Sequence, residues 1–291
     1  SGKIKPRVGW LALPLALIFF AYFVLPLVLT IIVSFWDYTD YAIIPDFIFD
    51  NYIYIFDGCL SNEGGLCLTF KTYLSTFFFC FFTWLITLVL GFCVAYFLAF
   101  YVNSIPLQVC LFLVCTIPFW TSNVIRMVSW IPLLGRNGLV NEFFLSLGII
   151  DQPIEWLLYS SFSVILALVH LYTLFMIVPI FNSMIRIDRS IVEAAYDAGA
   201  SHIQIIFNII IPLSKTGIII GSIFVVTVVM GDFLTIGIMG GQQLASVGKI
   251  INTEMNYLQF PGAAANAVIL LIITIFIIYV MTKFIDIRKE L

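Results

Sequence analysis

Asp232 is a lone carboxylate inside an apolar stretch, GIIIGSIFVVTVVMGDFLTIGIMGG from Gly217 to Gly241. A charge at mid-bilayer costs about 2.5 to 3.5 kcal/mol on insertion scales, so such a group needs a partner or a wet cavity. Counting about 1.5 Å per residue from Gly217 places it in the outer third of a span, where the cost falls. Two roles are open to it: a contact for a cation on a path through the membrane, or a structural partner for a base such as Arg126. Trp120 offers an aromatic face to a cation and equally suits an interfacial anchor. With Thr121 it follows Pro118, which removes a backbone hydrogen bond and kinks a helix. Glu254 precedes a later apolar stretch, where it either lines an outer mouth or sits in solvent.

Other chemistry is sparse. The two histidines, His170 and His202, have no carboxylate or thiol arrangement resembling a metal site, and His170 reads as a packing residue in mid-helix. The stretch GGQQLASVGKI has six residues between Gly241 and Gly248 and no Ser or Thr after Lys249, so it is not a phosphate-binding loop. The chain therefore binds no cofactor of its own, and any ATP and Mg must sit on another chain. Of six cysteines, Cys80, Cys93, Cys110 and Cys115 fall in apolar stretches and suit packing. Cys59 and Cys67 share a polar loop with seven residues between them, and a disulfide is expected there if the loop faces an oxidising compartment.

The elements that must carry these residues are membrane helices. Hydrophobic residues make up 62% of the 291 residues and charged ones 10%, against about 45 to 50% and about 25% in soluble domains. No charge lies between Lys71 and Arg126, between Glu155 and Arg186, or between Glu254 and Lys283. A span needs roughly 20 apolar residues, so the 54 uncharged residues from Thr72 to Ile125 hold two helices. Strand-like alternation is absent, which excludes a closed barrel. The expected architecture is an all-α polytopic membrane protein with six spans: Gly9 to Val33, Thr72 to Phe100, Leu107 to Ile125, Trp156 to Ile185, Gly217 to Gly240 and Gly262 to Met281. Lys3, Lys5 and Arg7 give the first stretch the look of a secretory signal, but 25 residues exceed a signal core of about 7 to 15.

Six spans place both termini on one side. With that side cytoplasmic, nine of thirteen Lys and Arg lie inside: Lys3, Lys5, Arg7, Arg186, Arg189, Lys215, Lys283, Arg288 and Lys289. The positive-inside rule thus predicts cytoplasmic N- and C-termini. A net charge of -3 with no basic run excludes a nucleic-acid partner and leaves lipid and other proteins. No repeat or linker divides the chain, so residues 1–291 read as one membrane domain.

The longest cytoplasmic connection, Ser190 to Gly217, reads SIVEAAYDAGASHIQIIFNIIIPLSKTG. Its pattern predicts two short helices about Gly199, which takes a turn that side chains resist, and Pro212 suits a first helical turn. Ala194, Ala195 and Ala198 allow another surface to approach closely. This loop resembles the signature of permease subunits of binding-protein-dependent ABC importers. Glu193, Ala194, Ala195, Gly199, Ile209 and Pro212 match it, and Ile211 stands where the pattern has Leu. Similar too are PFWTSNVIR at Pro118 to Arg126, NGLVNEFFLSLGIIDQPI at Asn137 to Ile154, and MGDFLTIGIMGG at Met230 to Gly241, nearest to the spermidine and putrescine type.

The resemblance implies a type I importer permease fold in a bacterial inner membrane. It also implies a second permease forming a heterodimer, two ATPase subunits docking on residues 190–217, an external solute-binding protein, and a polyamine or similar solute. An amino-acid-like solute or an ion-coupled carrier or channel are the alternatives, though ionisable residues within spans are few for the latter. A membrane enzyme fits least, given the sparse catalytic inventory.

Overall fold

The computed structural model of the chain describes residues 13–39, 42–57, 59, 67–241 and 243–283. Its helices are, in order, α1 (Leu13–Val33), α2 (Asp50–Ile55), α3 (Leu68–Tyr101), α4 (Ile105–Trp120), α5 (Asn123–Val128), α6 (Ile131–Leu134), α7 (Leu139–Ser146) and α8 (Ser161–Met184). These are followed by α9 (Arg189–Asp197), α10 (His202–Leu213), α11 (Lys215–Gly231), α12 (Leu234–Met239), α13 (Val247–Asn256) and α14 (Phe260–Lys283). Four stretches are long and apolar enough to cross a membrane: α1, α3, Glu155–Met184 with α8, and α14. Two bent pairs, Ile105–Trp120 with Asn123–Ser146 and α10 with α11, raise the number to six if each is one span. Lys3, Lys5, Arg7, the expected first-span start at Gly9, and Arg288 and Lys289 lie outside the described residues.

The structure differs from the sequence expectation at two span ends. The third expected span, to Ile125, stops at Trp120, and the chain turns by 92° between Ile105–Trp120 and Asn123–Ser146. Pro118 lies in the 3-10 turn Ile117–Trp120, and its carbonyl accepts from the Thr121 backbone N–H and, at 2.8 Å, from Thr121 Oγ1. Extended backbone at Thr121 and Ser122 then ends the helix. The fifth expected span, to Gly240, stops at Gly231, because Asp232 is extended (φ -72°, ψ 117°) and a new helix begins at Leu234. A second departure from an all-α chain is a two-stranded antiparallel ladder, Asp37–Tyr38 with Ile43–Ile44. The Thr39 N–H to Ala42 carbonyl bond of 2.8 Å closes its turn.

Two compact units divide the chain, Ser1–Phe70 with Ile250–Ile272, and Lys71–Lys249 with Ile273–Leu291. In the first, buried Asn51 donates Nδ2 to the carbonyls of Ser34 (3.0 Å) and Trp36 (2.8 Å), fixing the exit from α1. Phe35, Phe47, Phe49 and Tyr52 gather around that point. Thr69 Oγ1 donates to the Ile55 carbonyl at 2.6 Å, and Cys59 and Cys67 form a disulfide with Cα atoms 4.7 Å apart.

In the second unit α8 is the central rod. Ser160 and Ser163 cap its start reciprocally, each side chain accepting from the other's backbone N–H. Without a hydrophobic drive between helices in lipid, close backbone approach through small residues supplies the packing. Fully buried Met176 sits between Gly91 of α3 and Gly221 of α11, where an added Cβ would lie 2.8 Å from its side-chain atoms in each case. One turn further along, a Cβ at Gly217 would collide with the Pro179 carbonyl oxygen and Ser183.

Overpacking of this kind costs about 1 to 3 kcal/mol, so Gly217→Ala should lower the thermal stability of the detergent-purified protein clearly. Gly237→Ala, where a Cβ meets nothing within 4 Å, should leave it unchanged or raise it slightly. Fluorescence-detected thermal unfolding of the two variants checks this, and equal stabilities would refute the close-packing account.

Candidate functional site

The loop between α8 and α11 is built by its caps. The Asp188 carboxylate accepts from the Ser190 N–H at 3.0 Å, opening α9. Bonds from the Ser190 backbone and hydroxyl hold this carboxyl below the usual carboxylate range. At the other end the Gly199 N–H bonds to the Tyr196 carbonyl and the Ala200 N–H to the Ala195 carbonyl, a Schellman motif. Gly199 takes φ +81° with open space around its missing Cβ, so its requirement is purely conformational. Ser201 and Gln204 then form a capping box that starts α10. Glu193, Ala194 and Gly199 are exposed on the resulting short helix and its turn, and Ala195 is half-buried. Ile209 lies half-buried in the π turn Ile206–Ile210, and Pro212 is exposed near the bend into α11.

At the other candidate site the break after Gly231 exposes Asp232 to a cavity of about 210 Å³. Asn123, Met127, Tyr172 and Thr235 share the lining with it. Its carboxylate is already engaged. Oδ2 accepts from the Tyr172 hydroxyl at 2.5 Å and from Thr235 Oγ1 at 2.6 Å, while Oδ1 accepts from the Thr235 N–H at 2.8 Å. Asp232 thus caps α12 as well as facing the cavity. The alternative partner considered from sequence, Arg126, donates Nη2 to Asn123 Oδ1 and stacks over Phe119, its Cζ 5.7 Å from the ring centroid. Only 8% of Arg126 is exposed. Among the described residues no ion pair joins it to Asp232.

Trp120 is 79% exposed and does not line the cavity, whereas its neighbour Phe119 packs inward on Phe175 at 4.9 Å between centroids. Thr121 is spent on the Pro118 carbonyl. His170 is exposed and accepts the Trp130 indole N–H on Nδ1 at 3.1 Å, a partner that the sequence reading did not supply. Glu254 is half-buried and receives Asn266 Nδ2 on both carboxylate oxygens at 3.1 Å. Burial pushes its carboxyl above the usual range, and the Asn266 bond partly offsets this.

Sequence reasoning missed Tyr172, Asn123, Thr235 and Asn266. Tyr172 had no signal among the aromatic residues of α8. Asp232 with Thr235 three residues on, directly after Gly231, does spell a helix start inside an apolar run. The gathering of broken membrane helices around a carboxylate, with a capped helix exposed on one connection, has the form of a membrane transport component.

The chain belongs to the family described as binding-protein-dependent transport system inner membrane component, whose model matches residues 94–290. It is a multi-pass transporter component of the inner membrane rather than an enzyme. It is 34% identical over 269 residues to the spermidine/putrescine transport system permease protein PotB of Escherichia coli (strain K12), covering 91% of this chain and 90% of that one. The PotB protein of Salmonella typhimurium (strain SL1344) is 38% identical over 188 residues, 64% of each chain. A chain from the crystal structure of a bacterial alginate ABC transporter, in complex with an alginate pentasaccharide-bound periplasmic protein, shares the fold: TM-score 0.72 at 15% identity, covering 95% of this chain and 93% of that chain.

Because Glu254 holds its proton more tightly folded than unfolded, its contribution to stability is fully present below the unfolded pKa and is lost as pH rises through the folded one. Glu254→Gln keeps an acceptor for Asn266 and cannot ionise. The variant should be more stable than wild type at neutral pH and match it in acid, as measured by thermal unfolding between about pH 4 and pH 8. Parallel pH profiles would refute the burial effect.

Proposed function

We propose that this chain is one of two paralogous permease subunits of an ATP-driven importer, with six spans, cytoplasmic N- and C-termini, and a polyamine such as spermidine or putrescine as its solute. An external binding protein delivers the solute, and two ATPase subunits, which hold ATP and Mg, dock on the loop of residues 190–217. The observation that carries this reading is α9, a nine-residue helix capped at both ends and bearing Glu193, Ala194 and Ala195 on exposed or half-exposed positions. The solute class rests on the PotB relatives and on a carboxylate facing a cavity in the membrane part of the chain. Counting each bent pair as a span supports six.

Within this reading Asp232 supplies a weak counter-charge to the passing cation. Its three hydrogen bonds already satisfy most of the carboxylate's acceptor capacity, which keeps the contact loose enough for release. Trp120, exposed on the face of α4, offers an aromatic surface beside Thr121, and Glu254 adds negative charge near the start of α14. The binding protein sets most of the selectivity.

Uptake into proteoliposomes holding the whole complex should be compared for spermidine, putrescine and a neutral solute. Polyamine uptake should dominate, and Asp232→Asn should reduce it by roughly the loss of one charge-assisted contact, about tenfold. Transport confined to neutral or anionic solutes would overturn the solute assignment; unchanged polyamine uptake in the variant would remove only the role of Asp232. For the loop, Gly199→Trp should insert normally and abolish transport-coupled ATP hydrolysis, because φ +81° is strained for any side chain.

A further inference from the structure

The docking helix is strapped at both ends to one particular span, α3. His202, the first residue of α10, lies between two tyrosines: its Nδ1 is 2.6 Å from the Tyr196 hydroxyl on α9, and its Nε2 is 3.1 Å from the Tyr96 hydroxyl near the end of α3. A neutral imidazole has one N–H and one lone pair, so it holds both tyrosines at once, giving to one and taking from the other. At the opposite end of α9, Arg189 donates Nη1 to Asn103 Oδ1 at 2.6 Å and Nη2 to the Ala99 carbonyl at 3.3 Å. Ala99 lies in the π turn Phe97–Tyr101 that ends α3, and Gln108 Nε2 donates to the neighbouring Leu98 carbonyl at 2.7 Å. Single π turns inside helices frequently mark functional sites.

Helix α3 runs from this point to its contact with Val247 at the other end. Its 34 residues span about 50 Å at about 1.5 Å each, more than a hydrocarbon core. Near its other end Thr76 Oγ1 accepts the Val247 N–H at 3.0 Å. The next residue, Gly248, packs so closely that an added Cβ would lie 2.9 Å from the Gly231 carbonyl oxygen and 3.3 Å from that of Asp232.

We propose that Tyr96 and His202 on one side, and Asn103 with Arg189 on the other, are positioning residues that transmit displacement of α9 to α3, and through Thr76 and Val247 to the backbone at Asp232. This rests on the reading of α9 as the ATPase-docking helix. A short, otherwise exposed helix held at both ends moves its anchor with it or breaks the straps. Tyr96→Phe removes one hydroxyl and keeps the ring, and Asn103→Leu removes the acceptor of Arg189.

The test uses the complete complex in proteoliposomes, with spermidine as the solute. Both single variants should co-purify with the ATPase subunits and keep basal ATP hydrolysis. Hydrolysis stimulated by the loaded binding protein should fall about fivefold in each, and uptake with it. His202→Gln, which retains a donor and an acceptor, should preserve stimulation, whereas His202→Phe should lose it. Wild-type stimulation and uptake in the Tyr96→Phe, Asn103→Leu double variant would overturn the proposal, as would an equal loss of basal and stimulated hydrolysis, the mark of a merely structural role. Failure of the docking reading shows separately: Glu193→Cys would form no cross-link to an ATPase chain in an otherwise active complex.

Discussion

A backbone N–H or C=O facing hydrocarbon costs several kcal/mol when unpaired, so a membrane helix can stop or bend only where side chains take over its hydrogen bonds. That constraint orders this protein. Where α11 stops at Gly231, the Asp232 carboxylate takes the Thr235 N–H. At the end of α4, Thr121 returns its N–H and hydroxyl to the Pro118 carbonyl. In the last turn of α3, Arg189 and Gln108 donate to the Ala99 and Leu98 carbonyls. Between α10 and α11, the buried Ser214 hydroxyl bonds to the Ile210 carbonyl at 2.6 Å. Each of these breaks is therefore served by a polar side chain, and such places offer polar groups to a solute or a partner.

Asp232 shows how one residue serves two ends. A half-buried carboxylate in an apolar surrounding needs donors, and the Tyr172 hydroxyl with the two groups of Thr235 supplies them. In the proposed import reading, the same donors spread its charge and limit how strongly it can hold a passing cation. A site meant for transit differs in this from one meant for storage, since a tight contact slows release. Arg126, nearby in sequence to the cavity-lining Asn123 and Met127, is held aside by Asn123 and by the face of Phe119. The cation thus leaves the carboxylate unpaired with a fixed base.

Most of the architecture was legible in the sequence because charge-free runs of about 20 residues admit few readings in a bilayer. The local fold of residues 190–217 was legible because its devices are local, Gly199 for a positive φ and small residues at Ala194 and Ala195, whereas Pro212, expected in the first turn of a following helix, stands in the last turn of α10 before the bend into α11. The ends of the third and fifth expected spans were misplaced because hydropathy does not change at Trp120 or at Gly231; hydrogen bonding does, and in the sequence only Pro118 and the Asp232 to Thr235 spacing record it. The short ladder Asp37–Tyr38 with Ile43–Ile44 carries no alternation long enough to detect. Tyr172 and Asn266 were invisible for a different reason: their partners stand 60 and 12 residues away and no local pattern names them.

Close packing gives the proposed transmission from α9 a route through the second unit. Met176 fills the space left by Gly91 and Gly221, and Gly217 lies against the Pro179 carbonyl, so α3, α8 and α11 leave no slack where they touch. Close-packed interfaces move between discrete arrangements rather than deform continuously. The breaks on either side of α11, a 70° bend before it and the extended Asp232 after it, are where such a rearrangement can be absorbed without unwinding a helix in lipid. Rigid contacts inside the unit and satisfied breaks at its edges are thus complementary: in the proposed transmission, the first carries the movement and the second sets where the chain yields to it.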